Sequence, residues 1–203
     1  MKENLRTTHY SDGWPIEQNP AKSTTEAYYV YSGNSTSNFE MYGLLYNWKA
    51  VMRDASSSNT TPSGVQGVCP IGWHVPSKSE WESLFYYVGT NFSQYATEDC
   101  QSVIRALCDS IGWMQSDNFS VPGYSTGNNA TGFSIRPAGT SYSGQGWNNF
   151  PGVTDVAYIW STTRSSNEWN VAHVEIRYNF SNIYMNDYDR GPDFHFSVRC
   201  LRD

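Results

Sequence analysis

Helical spacing of apolar residues stops at Gly112 and does not return before Asp203. Upstream, apolar side chains recur at i, i+3, i+4 and i+7. Downstream there are only short β-prone runs separated by Gly, Asn, Ser and Pro clusters. Helices early and strands late, in a chain of 203 residues, predict a single α+β domain over residues 1–203. Its two main helices should pack on an irregular antiparallel sheet with unusually long loops. Loops of that length in a compact domain are commonly functional.

The clearest helix opens at Ser77. Pro76 blocks extension backwards, and Ser77-Lys78-Ser79-Glu80 has the form of a capping box. Trp81, Leu84, Phe85 and Val88 follow on one face, and Gly89 is read as the stop. A second helix is expected from Asp99 to Ile111, with Val103, Ile104, Leu107 and Ile111 as its buried stripe. Leu44, Leu45, Trp48, Val51 and Met52 predict a further helix within Tyr42–Met52. Tyr28–Tyr31 reads as a strand, and Ser56–Gly67 as an exposed loop. Later strand candidates are Gly132–Arg136, Ala157–Ser161, Val171–Tyr178 and Phe196–Leu201.

The net charge of -6 argues against a nucleic-acid partner, which needs clustered Lys and Arg. No apolar run approaches the roughly 18 residues of a membrane span, so no membrane insertion of this domain is expected. Charged residues make up only 16% and aromatics another 16%, so polarity comes from Ser, Thr, Asn, Gly and Tyr. That composition suits loops that contact something, as in binding proteins rich in Tyr, Ser and Asn.

Catalytic signatures are lacking: there is no GxSxG, Walker A, HExxH or dinucleotide fingerprint. The four histidines show no i, i+4 pairing, and no cofactor is expected. Cys69 and His74 are close enough in sequence for a nucleophile–base pair, but Cys69-Pro70-Ile71-Gly72-Trp73 reads better as a turn into a tryptophan anchor. Cys69, Cys100, Cys108 and Cys200 allow three pairings. On one helix Cys100 and Cys108 would lie about 12 Å apart, too far to bridge. Cys69–Cys200 is the favoured pairing, and four buried free thiols remain the alternative. Asp187, Asp189 and Asp193 with Gly191 resemble part of a calcium loop, but the full spacing and closing Glu are missing. A solvated acidic loop that contacts a ligand is the preferred reading.

Residues 167–196 carry the densest recognition chemistry. Tyr178, Phe180, Tyr184, Tyr188 and Phe194 alternate with Asn182, Asn186, Asp187, Asp189, Arg190 and Asp193, with His173 earlier in the segment. Flat rings beside amides and carboxylates suit sugar or protein recognition: rings stack and polar groups orient. A β-meander filling its own core is the competing reading, compatible because strand residues alternate in direction. Trp147 and Asn148 are candidate contributors from the preceding loop.

Met1-Lys2-Glu3-Asn4-Leu5-Arg6-Thr7-Thr8, Tyr10-Ser11-Asp12-Gly13 and Tyr42-Gly43-Leu44-Leu45-Tyr46-Asn47-Trp48 resemble successive blocks of the FISUMP domain (Fibrobacter succinogenes major paralogous domain). Its most specific signature is matched by Gly67-Val68-Cys69-Pro70-Ile71-Gly72-Trp73-His74-Val75-Pro76-Ser77 with Glu80-Trp81. Gly132–Gly139, Trp160–Thr163 and Ser197–Cys200 complete the order. The resemblance implies a C-type-lectin-like fold whose terminal strands meet, and it supports a Cys69–Cys200 bridge. It also places Met1 at an internal position of the family pattern, implying sequence upstream. The triplets of calcium-dependent sugar-binding lectins are missing, which argues against calcium chelation. Variable proteins of diversity-generating retroelements use the same fold to display a hypervariable C-terminal surface, and residues 167–196 resemble that surface in composition.

These readings predict a recognition module, not an enzyme, at a bacterial cell surface or on a phage virion. Its partner would be a surface glycan or protein of another cell. A pilus or envelope component, and a carbohydrate hydrolase using the 187–193 carboxylates, are the alternatives.

Overall fold

The computed structural model describes residues 1–18, 26–91, 101–118, 121–124, 128–142, 151–167, 169–187 and 190–203. It is a mixed α+β architecture, but its strands form three sheets, not one. The largest has the order β1 (Glu17–Gln18), β2 (Tyr28–Tyr31), β3 (Leu44–Asn47), β9 (Phe194–Phe196), β5 (Ser141–Tyr142). Within it β1 runs parallel to β2, and the other pairs are antiparallel. The second pairs β4 (Trp73–His74) with β10 (Leu201–Arg202), and the third has the order β6 (Val156–Arg164), β7 (Val171–Arg177), β8 (Tyr184–Asn186). Isolated bridges at Gly139–Ala157 and Ile159–Ser197 tie the first and third together.

The 9-residue β6 is the axis of the molecule. Val156, Tyr158 and Trp160 enter one apolar cluster with Tyr46, Trp48 and Phe196, while Ala157 and Ile159 enter another with Trp81, Ile104, Leu107 and Ile176. A strand with period 2 and both faces covered must read as a continuous apolar run. Its register shifts between Trp160 and Arg164, where ladder bonding lapses. Indoles serve the carbonyls there: Trp48 Nε1 donates to Ser161 O at 2.9 Å and Trp81 Nε1 to Trp160 O at 3.3 Å. Trp160 Nε1 donates in turn to Tyr46 O at 2.7 Å.

The same two-faced burial corrects the expected Tyr42–Met52 helix. Leu44 and Tyr46 face one cluster and Leu45 another, so this stretch is strand β3. Gly43, at φ +73° and with a would-be Cβ 2.9 Å from Leu5 O, breaks it from the short helix α1 (Phe39–Tyr42). Asn47 then starts α2 (Trp48–Met52) as its N-cap, accepting from Ala50 N at 3.0 Å.

Helix α3 (Lys78–Asn91) opens on the expected capping box: Ser77 N donates to Glu80 Oε2 at 3.0 Å and Glu80 N to Ser77 Oγ at 3.2 Å. It runs through Gly89 instead of stopping there. Gly89 faces α4 (Gln101–Leu107), where even a Cβ would meet Val103 Cγ2 at an ordinary contact distance of 3.4 Å. Helix α4 ends earlier than expected. Asp109 N donates to Ile135 O at 2.8 Å, a bridge-like pairing that replaces a last helical turn and leaves Ile111 49% exposed. Gly132–Arg136 contributes only that bridge, and Phe196–Leu201 is divided between β9 and β10. The Cys69–Cys200 disulfide is formed and Cys108 is a buried free thiol; Cys100 lies outside the described residues.

Candidate functional site

Alternation along Val171–Arg177 sets His173, Glu175 and Arg177 on one face of the third sheet, with Val174 and Ile176 packed beneath on the other. Antiparallel register brings Tyr158 opposite Glu175, and Val156 opposite Arg177, on the same face. The Glu175 carboxylate is buried and fully served. Arg177 Nε donates to Oε1 at 2.6 Å, Tyr158 OH approaches the same oxygen at 3.4 Å, and Asn186 Nδ2 donates to Oε2. Arg177 Nη2 donates to Tyr158 OH at 3.2 Å. Burial and Glu175 raise the Tyr158 pKa against the opposing pull of Arg190 and Arg177. Around Arg177, desolvation is outweighed by Tyr158 and Glu175, so its pKa rises.

Above this network lies a cleft of about 540 Å³, within the usual size of small-ligand sites. Thr140, Tyr142, Asp155, Tyr158, Arg177, Arg190 and Phe194 supply its chemistry. Tyr142 stacks on Phe194 with centroids 4.5 Å apart. The Arg190 guanidinium sits 4.9 Å from the Phe194 ring centroid and 5.9 Å from that of Tyr158. The first and third sheets thus each contribute a wall.

Of the residues expected to form a binding face, Arg190 and Phe194 line this cleft. Phe180 (45% exposed) and Asn182 face solvent, and Tyr184 is half-buried on edge strand β8. His173 is completely buried with Nδ1 2.9 Å from Val171 O, and Asn186 is buried on Glu175, so both build the framework instead of its surface. Tyr178 packs against the helix-side cluster. Asp187 pairs with Lys78 Nζ at 3.0 Å, and burial raises the pKa of half-buried Asp193. Trp147, Asn148, Tyr188 and Asp189 lie outside the described residues.

The sequence reading missed Tyr142, Asp155, Tyr158, Glu175 and Arg177. The strict His–Val–Glu–Ile–Arg alternation at 173–177 was the signal for the last two. It also missed Trp169, 80% exposed in the β6–β7 turn. No group of three His, Cys, Asp or Glu among the described residues could hold a metal ion. No described helix is long and apolar enough to cross a membrane.

The signature stretch serves structure. Cys69 is consumed in the disulfide, so it is no nucleophile. His74 is buried, with Nε2 2.8 Å from Glu80 Oε1 and Nδ1 2.7 Å from Asp203 Oδ1. Glu80 Oε2 meanwhile accepts from Ser63 N at 3.1 Å as well as from Ser77 N. A family model described as the Fibrobacter succinogenes major domain matches residues 1–202. The chain belongs to this family. No curated protein and no solved structure matches it. In this member of the Fibrobacter succinogenes major domain family, Trp73–Ser77 and Glu80-Trp81 join the C-terminal strand to the start of α3.

Proposed function

We propose that this domain is a recognition module with a C-type-lectin-like fold, displayed on a bacterial surface or a phage virion, that binds a glycan or protein of another cell. The observation that carries this reading is the cleft between the first and third sheets. Its floor is a polar network around the buried Glu175 carboxylate, whose two oxygens are both bonded, and Arg190 and Phe194 of the 167–196 segment form part of its rim. A bonded floor beneath a rim that includes Arg190 and Phe194 suits a binder whose surface contacts change while its fold persists, because surface substitutions usually cost under about 0.5 kcal/mol. The Cys69–Cys200 bridge supports display in an oxidising compartment.

Two measurements test the proposal. Arrays of cell-surface glycans and surface proteins should capture the domain, and Arg190→Ala should reduce capture while the circular dichroism spectrum stays native. Capture of nothing, with self-association in the absence of ligand, would instead make it an assembly component. Sequencing the 3′ end of the gene across one population should place changes in codons 167–196 and leave codons 197–199 fixed. An invariant segment would sink the diversification part.

A further inference from the structure

Two polar groups lining the cleft keep hydrogen-bonding capacity to spare among the described residues. The Asp155 carboxylate makes no hydrogen bond or ion pair among the described residues, although its backbone is fixed by Tyr178 N donating to Asp155 O at 2.8 Å. Arg177 uses Nε on Glu175 and Nη2 on Tyr158, and its Nη1 makes no hydrogen bond among the described residues. Lining groups left without partners on a rigid frame are pre-organised for a ligand, because no internal bond is broken when one binds.

Beside them stands an aromatic wall. The half-buried Tyr142 ring stacks on Phe194 and lines the cleft, where it can meet an incoming ring. The charges of the cleft balance: Asp155 on the lining and Glu175 beneath it stand against Arg177 and Arg190. A net anion or cation would gain little from such a lining. A neutral ligand with adjacent hydroxyls gains more, since one hydroxyl can donate to Asp155 while accepting from Arg177, and bonds to charged groups are the stronger kind.

Building on the recognition reading above, we infer that this cleft holds a neutral sugar ring: its apolar face lies on Tyr142 and its vicinal hydroxyls bridge Asp155 and Arg177. The sugar is held by side chains directly, without an intervening metal ion.

The test is titration calorimetry of the full chain with methyl glycosides of glucose, galactose, mannose and fucose, with glucuronate and with short peptides. Each is repeated in chelator and with Asp155→Asn and Tyr142→Leu variants. Asp155 makes no hydrogen bond from its carboxylate among the described residues and acts on Arg177 only through its charge, so Asp155→Asn should fold normally. At least one neutral glycoside should bind, unaffected by chelator, and weaken about tenfold or more in Asp155→Asn, as loss of a charged hydrogen bond requires. Tyr142→Leu should weaken it as well. Tighter binding of glucuronate or peptide, or loss of binding in chelator, would overturn the ligand class while the recognition reading stands. Neutral-sugar binding indifferent to both variants would move the site elsewhere. If no glycoside binds while a surface protein is captured, the sugar inference fails alone; if nothing is captured, both fail.

Discussion

His74 Nε2 lies 2.8 Å from Glu80 Oε1, inside the domain, while the other ring nitrogen reaches Asp203. A neutral imidazole has a single N–H and can donate to only one of the two carboxylates; the imidazolium donates to both. Burial opposes that charge, and the bonds to Asp203 and Glu80 overcome it, so the pKa of His74 lies above the ordinary 6.5. A raised pKa contributes stability that is complete below the unfolded value and is lost as pH rises through the folded one. Thermal unfolding should therefore show stability falling as pH climbs above about 6.5. His74→Gln should be less stable at pH 6 and should lack that alkaline loss. An unchanged alkaline slope in the variant would show that His74 is not its source.

His195 behaves in the opposite sense. Burial presses its pKa down to about 4, and its Nδ1 donates to Ser141 O at 3.1 Å. The neutral ring is the native form, so its contribution is intact above pH 6.5 and drains away as the pH falls toward 4. The loss should be roughly 3 kcal/mol. Denaturant titrations at pH 7 and pH 4.5 measure it. His195→Asn should show a smaller acid loss than the parent, and an equal loss would assign the acid limb to carboxylates alone.

The Cys69–Cys200 bridge closes a sequence separation of 131 residues. Loops of that length constrain the unfolded chain by about 4–5 kcal/mol in the chain-entropy account. The Cys69→Ser, Cys200→Ser double variant should then melt roughly 10 °C lower in calorimetry. A shift of only a degree or two would mean that the terminal contacts hold without the bridge.

Arg199 is 1% exposed and ties distant segments together. Its Nε donates to Asn4 Oδ1 at 2.8 Å, Nη1 to Lys2 O at 2.8 Å and to Phe133 O, and Nη2 to Ser134 O at 2.5 Å. A lysine cannot reproduce that planar fork. Arg199→Lys should cost about 3 kcal/mol or more and loosen amide-exchange protection near residues 2–5 and 133–135 together. Protection lost at one segment but not the other would refute the coupling.

What could be read in advance had a local physical signature. The Ser77–Glu80 cap is written in four consecutive residues, and strands β6 and β7 in their β-branched and aromatic runs. Leu44–Asn47 misled because a strand buried on both faces followed by a short helix reproduces helical spacing by accident. Ile111 misled because a tertiary pairing, Asp109 with Ile135, ended the helix early. In the cleft, Phe194 and Arg190 were visible as recognition-type residues. Asp155 and Tyr142 were not, since only the folding of β5 against β9 and of β6 beside them gives those ordinary side chains a common cavity.

The two indoles that donate to Trp160 O and Ser161 O come from opposite sides, Trp48 from the first cluster and Trp81 from the helix-side cluster. The bulged stretch of β6 is therefore a rivet through both halves of the molecule, and neither half can melt without taking the indole donor from one of these buried carbonyls. Unfolding should register as one calorimetric transition, with tryptophan emission and helix signal changing at the same temperature. The cleft, whose Tyr158 lies two residues from Trp160 on the same strand, is thereby carried on a frame that melts as one.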